Sequence, residues 1–329
     1  MPESLVVSVM RQHKVALLAR EQVQMQAMAQ RWLQVEQALD AQINALAEEF
    51  ARMARDGVTP SQAKLFQMDR YQAMLKQLYV ELGKYTDYAD TLITAQQRAY
   101  IAQAIADSGA ALQASGVVPG FDRLPIEAVE NVVGLTGAGT PVHDLLTQTW
   151  PNAAQGMTNQ LIRSTALGIN PRETARRMQD GSTRSLNRML NIARTEQLRV
   201  YRQTARQSYQ TSGVVDGYYR LATRDSRTCP ACLMADGHFY ELDEEMPEHA
   251  SGRCTSVPRV TGVKPPEWQK GPDWFVEQPP DTQKAILGKG RYEAWQRGEF
   301  DLDQLVTVKQ NSTWGDSLQP KPLKELVSA

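Results

Sequence analysis

The chain has 329 residues, of which 42% are hydrophobic and 22% are charged, and its formal net charge is −1. This composition is that of an ordinary globular protein, so it excludes wholesale disorder, a collagen-like chain and a disulfide-rich secreted scaffold. No apolar run approaches the roughly 20 residues that a membrane span requires, and the N-terminal residues lack the pattern of a signal peptide. We therefore expect a soluble protein that is made in a reducing cytoplasm.

Residues 1–116 are predicted to form a helical arm. From Ser8 to Arg55 the sequence contains neither proline nor glycine, and its many Ala, Gln, Leu and Met residues favour a long helix. The stretch RDGVTPSQ then ends this helix. The Met and Tyr residues of the arm are expected to pack between helices rather than to bind a ligand.

Two further helices are expected in the arm. Thr59 or Ser61 is a suitable N-cap for the second helix, with Pro60 tolerated in its first turn, and this helix is expected to end before Gly83. A third helix is expected to reach about Ser115. Because long helices joined by short connections pack antiparallel, the arm is predicted to be a bundle of two or three helices.

Residues 117–150 are predicted to be a connector with short helices, because SGVVPGFDRLP and LTGAGTPVHDL are rich in turn residues. The GAG stretch lacks the Lys-Ser/Thr pair of a nucleotide-binding loop, so an ordinary loop is expected there. His143 is the only histidine in this region. It is therefore expected to be a solvated or hydrogen-bonded histidine.

Residues 151–262 are predicted to form a small α+β domain. In NPRETARRM, Asn170 is a candidate N-cap and Glu173 follows at the capping-box position, which predicts a short helix. Ser182 is expected to start a second, longer helix that ends at Gly213. The stretches VVDGYYRLAT and HFYEL have the β-branched and aromatic content of strands.

The longer helix of this domain is predicted to have one buried face and one basic face. Ten arginines and three acidic residues lie between Arg163 and Arg206, so the segment has a local excess of positive charge. At about 100° per residue the predicted buried face comprises Leu186, Met189, Leu190, Ala193, Val200, Thr204 and Ser208. The nearly opposite face, which we call the arginine stripe, comprises Arg184, Arg188, Arg199, Arg202 and Arg206.

All three cysteines of the chain lie in one short window with a histidine. The spacing is Cys229-x2-Cys232-x16-His249-x4-Cys254, which supplies three thiolates and one imidazole. This is the ligand set of a closed structural zinc site, because soft sulfur donors disfavour calcium, magnesium and manganese and leave no open position for a catalytic water. We therefore predict a structural Zn²⁺ bound by these four residues.

Two alternatives remain for this cluster. His238 could replace His249 as the fourth ligand, although it follows a glycine at the start of a predicted strand. A Cys-His nucleophile pair is the enzymatic alternative. The sequence identifies no Asn or Asp that would orient such a histidine, so the metal interpretation is favoured.

Residues 263–329 are predicted to be a proline-rich tail with a short helix around DTQKAILGKGRYEAWQRG. The tail is expected to pack over the preceding domain or over a neighbouring molecule. The whole chain is thus expected to be α+β and mostly helical, with a long N-terminal helical arm, a small zinc-stapled α+β domain and an extended, partly helical tail.

The segment from Asn170 to Val306 resembles phage Mu F-like minor head proteins, also called phage head morphogenesis proteins. The resemblance rests on ARTEQ, SGVVDGYY, TRDSRTCPAC, DGHFYEL and HASGRC, and on WFVEQPP and ILGKG in the tail. The matching positions are Arg194, Thr195, Glu196, Gly213, Val214, Asp225, Arg227, Thr228, Cys229, Cys232, Gly237, His249, Arg253 and Cys254. Ala250 and Gly252 depart from the family pattern, which often has Pro and a further Cys there.

The resemblance implies a minor component of the phage head, without an enzymatic activity, that associates with the portal during procapsid assembly. It also implies a role in genome packaging, retention or delivery. The expected partners are the portal protein and a major capsid or scaffold protein, with several copies around the portal and no membrane contact. The expected location is the virion near the portal, after assembly in the host cytoplasm.

Three functional questions stay open at this level. The arginine stripe contacts the backbone of double-stranded DNA, pairs with an acidic surface of the portal or of a neighbouring copy, or is a solvated face. The alternative function is a zinc-braced nuclease or a cysteine hydrolase that acts on phage or host DNA or protein. A third possibility is a scaffold-like assembly factor that leaves before maturation.

Overall fold

The computed structural model describes residues 3–58, 62–117, 122–137, 139–225, 227–311 and 313–327. The protein is mostly helical with a small sheet region, as the sequence predicts. Within those ranges no helix is both long enough and apolar enough to cross a membrane. The helices before the sheet are α1 (Leu5–Arg55), α2 (Gln62–Phe66), α3 (Asp69–Ala114), α4 (Val142–Thr147), α5 (Trp150–Ala166) and α6 (Pro171–Ser212).

Helix α1 confirms the long first helix, but the predicted end of the second helix before Gly83 is wrong. Helix α3 continues through Gly83, and Leu82 and Tyr85 on either side of it are fully buried. A glycine costs a helix only about 1 kcal/mol relative to alanine, which the burial of such neighbours exceeds. The predicted cap at Thr59 or Ser61, with Pro60 in the first turn, lies outside the described residues.

The predicted break between two helices at Ser182 is also wrong, because α6 is one continuous helix of 42 residues. Gly181 lies where α6 passes α5 closely: a Cβ atom built on Gly181 would be 2.5 Å from the carbonyl oxygen of Gly156, and one built on Gly156 would be 2.0 Å from the carbonyl oxygen of Gly181. Gly181 therefore permits the close contact between the two helices and does not end α6.

Both predicted ends of the α6 region are confirmed. The backbone N–H of Glu173 donates to Oδ1 of Asn170 at 3.0 Å, so Asn170 is the N-cap. The Glu173 carboxylate accepts hydrogen bonds from Arg176 and Arg177. At the other end Gly213 has φ +65°, the left-handed conformation that favours glycine directly after a helix.

The connector residues behave as the sequence predicts. Nε2 of His143 lies 3.4 Å from Oδ1 of Asp87, and the side chain is 44% exposed, so this is a hydrogen-bonded surface histidine. A short 3-10 helix, Ile126–Val132, and helix α4 provide the expected short helices. Part of the GAG stretch, Ala138, lies outside the described residues.

The chain divides into two compact units, each built from segments that are distant in sequence. The sheet unit comprises Met1–Arg20, Gln96–Gly139 and Thr195–Ala329. The helical unit comprises Glu21–Ala95 and Thr140–Arg194. The predicted division at residues 1–116, 117–150, 151–262 and 263–329 stays a prediction.

The sheet unit contains a three-stranded antiparallel sheet in the order β2-β1-β3. Strand β1 is Val215–Leu221, β2 is Phe239–Glu241 and β3 is Thr255–Val260. The first two confirm the predicted strands, whereas β3 was not predicted. Tyr218 of β1 pairs with Tyr240 of β2, and the two rings stack with centroids 5.6 Å apart. This face of the sheet packs against the core that contains Cys232 and Cys254.

The tail packs on the preceding domain, as expected. Between β1 and β2 lies α7 (Pro230–Met234), whose Leu233 and Met234 join a buried cluster with Phe275, Ile286 and Leu287 of the tail. The tail is more structured than predicted, because it contains several helices and an antiparallel hairpin. These elements are α8 (Gly271–Val276), α9 (Pro280–Leu287), α10 (Lys289–Gln296), β4 (Val306–Asn311), β5 (Gly315–Pro320) and α11 (Leu323–Leu326).

Candidate metal centre

The first pair of predicted ligands, Cys229 and Cys232, is held by a polar turn and the short helix α7. Cys229 is the N-cap residue of α7, so Cys232 follows within the first turn of that helix. Oδ1 of Asp225 accepts hydrogen bonds from the backbone N–H of Arg227 and from the hydroxyl of Thr228, both at 3.0 Å. These bonds shape the turn that leads into the two cysteines.

The second pair, His249 and Cys254, is tied to the same turn. Arg253 donates to both carboxylate oxygens of Asp225 at 2.6 and 2.7 Å, and these hydrogen bonds hold the pKa of Asp225 well below its ordinary value. The loop between the two ligands includes Ser251, which has φ +59° and whose backbone N–H donates to the Thr195 hydroxyl at 2.9 Å. Thr195, Asp225 and Arg253, which are among the positions that match the family pattern, thus hold the two ligand segments together.

The predicted ligand atoms gather in two overlapping triples. The ligand atoms of Cys229, Cys232 and His249 all lie within 4.8 Å of one another. Those of Cys232, Glu248 and Cys254 do so as well. Cys232 is common to both triples, so the structure brings Cys254 together with Cys232 and adds Glu248. Glu248 was missed in the sequence, where it is one of several acidic residues in the segment between Asp243 and His249.

The orientation of His249 suits a metal ligand. Its Nδ1 lies 2.8 Å from the carbonyl oxygen of Ala250; because a carbonyl only accepts, Nδ1 carries the proton and donates. Nε2 is then the nitrogen that would bind a metal after it loses its proton, and a backbone carbonyl that fixes the histidine in this way is the usual second partner of a metal-bound imidazole. His238, the alternative ligand, is exposed and packs edge-on against Tyr240.

Hydrogen bonds within the cluster shift the pKa values of its members. The Cys232 thiol donates to Cys229, and this bond, together with one from His249, lowers the pKa of Cys229 to about 4 despite burial. Burial alone would lower the pKa of His249, but its bond to Cys229 and the Glu248 charge raise it to about 9. The single thiol proton of Cys232 also lowers the pKa of Cys254, whereas its bonds to these two sulfur atoms, together with burial, raise the pKa of Cys232 itself well above its ordinary value. The surroundings therefore favour thiolates at Cys229 and Cys254, and a bound metal would have to replace the proton of Cys232.

A buried ion pair lies against the cluster. The Arg220 side chain is fully buried, and its Nη1 is 3.1 Å from Oε2 of Glu248 and 3.8 Å from Sγ of Cys232. Its Nη2 donates to the carbonyl oxygen of Pro247. Burial would raise the pKa of Glu248, but the charge of Arg220, followed by that of Arg202, lowers it. The carboxylate is therefore ionised beside the sulfur atoms.

The C-terminal hairpin borders the cluster on one side. Residues 317–320 of β5 line a cleft together with Cys229, His249 and Ala250. The backbone N–H of Glu248 donates to the carbonyl oxygen of Asp316 at 3.2 Å. The tail thus contributes to the surroundings of the centre.

The arginine stripe is divided between the two units. Arg184 and Arg188 are exposed and belong to the helical unit. Arg199, Arg202 and Arg206 belong to the sheet unit. These three line a cavity of about 150 Å³ beside Glu248 and His249. The predicted buried face of the helix is confirmed, with Leu186 and Leu190 half-buried and the other five residues buried: Met189, Ala193, Val200, Thr204 and Ser208.

The three arginines of the sheet unit have partners within the chain. Arg199 forms a 2.7 Å ion pair with buried Glu196 and also donates to the carbonyl oxygen of Leu135. Arg202 donates to the carbonyl oxygen of Gly252 at 3.1 Å. Arg206 donates to the carbonyl oxygen of Asp243 at the same distance. These side chains stabilise the loops around the candidate centre.

The long helix, the small sheet and the Cys/His cluster lie within a segment that matches a known family model. Residues 155–266 match the family model described as Phage Mu protein F like protein, so the resemblance predicted from the sequence is confirmed over this segment. The matched segment contains all four predicted metal ligands and Glu248. No curated protein and no solved structure gives a significant match to the chain.

Proposed function

We propose that the protein is a minor head component that acts at the portal during procapsid assembly and in packaging, retention or delivery of the genome. The observation that carries this proposal is the Mu F-like match over residues 155–266, which supports a role in phage head morphogenesis and a location in the virion. The proposed partners are the portal protein and a major capsid or scaffold protein. Several copies are proposed to surround the portal.

Zinc is the proposed metal of the centre, with a structural role. Cys229, Cys232, Cys254 and His249 supply soft donors of the kind found in closed zinc sites. The bound ion would hold α7 and the loop before β3 in one arrangement, and structural zinc contributes folding energy directly. We propose no catalytic activity for this centre.

The charges around the cluster fit such an ion. A zinc ion with three thiolates and a neutral imidazole has a net charge of −1, and ionised Glu248 adds another negative charge. Arg220 and Arg202, whose charges both act on Glu248, supply two positive charges. The ion, its four proposed ligands, Glu248 and these two arginines are then neutral in total, and paired charges of this kind are tolerated away from water. Buried Lys14, whose charge acts on Cys254, lies outside this sum.

Contact with the DNA backbone is proposed for the exposed end of the arginine stripe. Arg184 and Arg188 are exposed, as phosphate contacts require. Arg199 and Arg202 are engaged with Glu196 and with backbone carbonyls. Replacement of Arg184 and Arg188 by Gln is expected to lower DNA affinity and to reduce its salt dependence, as measured by fluorescence anisotropy at several salt concentrations.

The proposed role is tested with purified phage particles. Mass spectrometry of mature heads should detect the protein in a small number of copies, and imaging of the portal vertex without imposed shell symmetry should place it there. Detection in procapsids alone would assign it instead to the transient assembly factors. Detection throughout the shell would contradict the proposed position at the portal.

One observation favours a second candidate function. The low pKa of Cys229, about 4, and the raised pKa of His249, about 9, describe a thiolate-imidazolium pair, which is the form of the pair in cysteine hydrolases. Three results together would support the hydrolase: the purified protein contains no zinc, Cys229 is alkylated rapidly, and alkylation abolishes a hydrolytic activity. Metal-dependent plasmid cleavage that persists in Cys229→Ser would support a nuclease. Zinc that protects Cys229 from alkylation supports the structural centre.

A further inference from the structure

The carboxylate of Glu248 lies among the candidate metal-binding atoms. Its Oε1 is 3.4 Å from Sγ of Cys232 and 3.7 Å from Nε2 of His249. It also belongs to the triple with Cys232 and Cys254 whose ligand atoms lie within 4.8 Å of one another. At the usual zinc bond lengths, an oxygen and a sulfur on neighbouring corners of a tetrahedron are about 3.5 Å apart. The distance from Oε1 to Cys232 therefore suits two ligands of one ion.

The orientation of this carboxylate is fixed by its surroundings. Oε2 is bound by Nη1 of Arg220 at 3.1 Å, which leaves Oε1 directed towards the sulfur atoms. The backbone N–H of His249 donates to Oε1 at 3.1 Å. The Glu248 side chain is only 5% exposed. An ionised oxygen held in this way has little freedom to turn towards water.

The loop also leaves space for the Glu248 carboxylate at Gly252. Gly252 is buried, and a Cβ atom built on it would lie 2.3 Å from Cδ and Oε1 of Glu248. No side chain at position 252 is compatible with the observed place of Glu248, since real Cβ contacts at that distance do not occur. The glycine thus allows the carboxylate to approach the cluster.

We propose that Glu248 is a fifth donor of the metal centre and competes with His249 for the fourth position beside the thiolates of Cys229, Cys232 and Cys254. This inference depends on the proposed zinc centre. Zinc accepts carboxylate oxygen as well as imidazole nitrogen, so either side chain can complete a four-coordinate sphere. The consequence is a centre that retains its ion when the histidine is lost.

The test is a double-mutant cycle of zinc affinity, measured by competition with a chromogenic chelator. His249→Ala is expected to weaken binding by no more than the loss of an outer-shell partner does, about tenfold to a hundredfold, because Glu248 takes the fourth position. Glu248→Gln, which keeps the shape and an acceptor for Arg220, is expected to have an effect of similar size. The double variant is expected to lose more than the product of the two, since no fourth donor remains.

Glu245→Gln is the matched control, because Glu245 is an exposed acid of the same segment and should leave zinc affinity unchanged. Far-ultraviolet circular dichroism shows whether each variant is folded. A double variant that binds zinc as well as His249→Ala alone would refute Glu248 as a donor. A wild-type protein that binds no zinc would instead refute the proposed centre itself, so the two failures are distinguishable.

A second readout uses cobalt in place of zinc. In His249→Ala the fourth position should be closed by Glu248, so added imidazole should leave the visible absorption of the cobalt protein nearly unchanged. In the double variant imidazole should bind and shift that absorption. Equal imidazole binding by both variants would contradict the proposal, because it would place water rather than Glu248 in the fourth position.

Discussion

The buried ion pair between Arg220 and Glu248 allows a quantitative prediction. In Arg220→Met the guanidinium is replaced by an apolar group, and Glu248 is left ionised with a side chain only 5% exposed. Removing one partner of a buried pair costs about 3–5 kcal/mol. The carbonyl oxygen of Pro247 also loses its donor, which adds about 1 kcal/mol. We therefore expect the free energy of unfolding to fall by about 5 kcal/mol.

The assay is urea denaturation of the zinc-saturated protein, monitored by circular dichroism. Arg176→Met is the matched control, because Arg176 pairs with Glu173 on an exposed helix surface, and it should change stability little. The double variant Arg220→Met, Glu248→Gln should recover much of the loss, since no buried charge is then left alone. A loss below about 1 kcal/mol in Arg220→Met, or no recovery in the double variant, would refute the reasoning.

Three further predictions follow from the structure. Gly181→Ala should destabilise the protein by about 1–3 kcal/mol, because α5 and α6 must separate. Gly83→Ala has room for its methyl group and should stabilise the protein by about 0.5–1 kcal/mol. Thermal unfolding of the two variants tests both expectations. Asp225→Asn should lower the free energy of unfolding by about 1 kcal/mol, after allowance for the exposure of the pair with Arg253. The pKa of Asp225 is lower in the folded state than in the unfolded state, so the full loss should be seen above about pH 4. Urea titrations at lower pH should show the difference between variant and wild type shrink. Elemental analysis should find about one zinc per chain in the wild type and far less in Cys232→Ser, and equal zinc contents would exclude the centre.

Glycine positions limit how much of the fold can be read from the sequence. One helix was predicted to end before Gly83 and another to start at Ser182, directly after Gly181, yet each of these glycines lies inside a continuous helix. Gly213 was interpreted as a helix end and does follow one. Local sequence does not distinguish these cases, because the packing around a glycine determines whether the helix continues through it. At Gly181 the backbone of another helix approaches so closely that only a glycine fits.

The candidate centre shows a similar limit. Spacing and ligand chemistry identified Cys229, Cys232 and His249, which the structure brings together, and Cys254, which lies with Cys232. The same reasoning missed Glu248, because an acidic residue in an acidic segment has no signal of its own. The absence of a side chain at Gly252 was visible in the sequence, but its consequence for Glu248 depends on how the loop is folded.

By itself the sequence determined the helical character of the chain, the first two strands, the Cys/His cluster and the resemblance to phage head proteins. These properties depend on residue type and short-range spacing. The tertiary structure alone decided that β3 and the C-terminal hairpin border the centre, that Arg199, Arg202 and Arg206 are engaged within the chain, and that Glu248 lies among the sulfur atoms. These depend on contacts between residues far apart in sequence, and the energy of burying a charge is set by the groups that surround it.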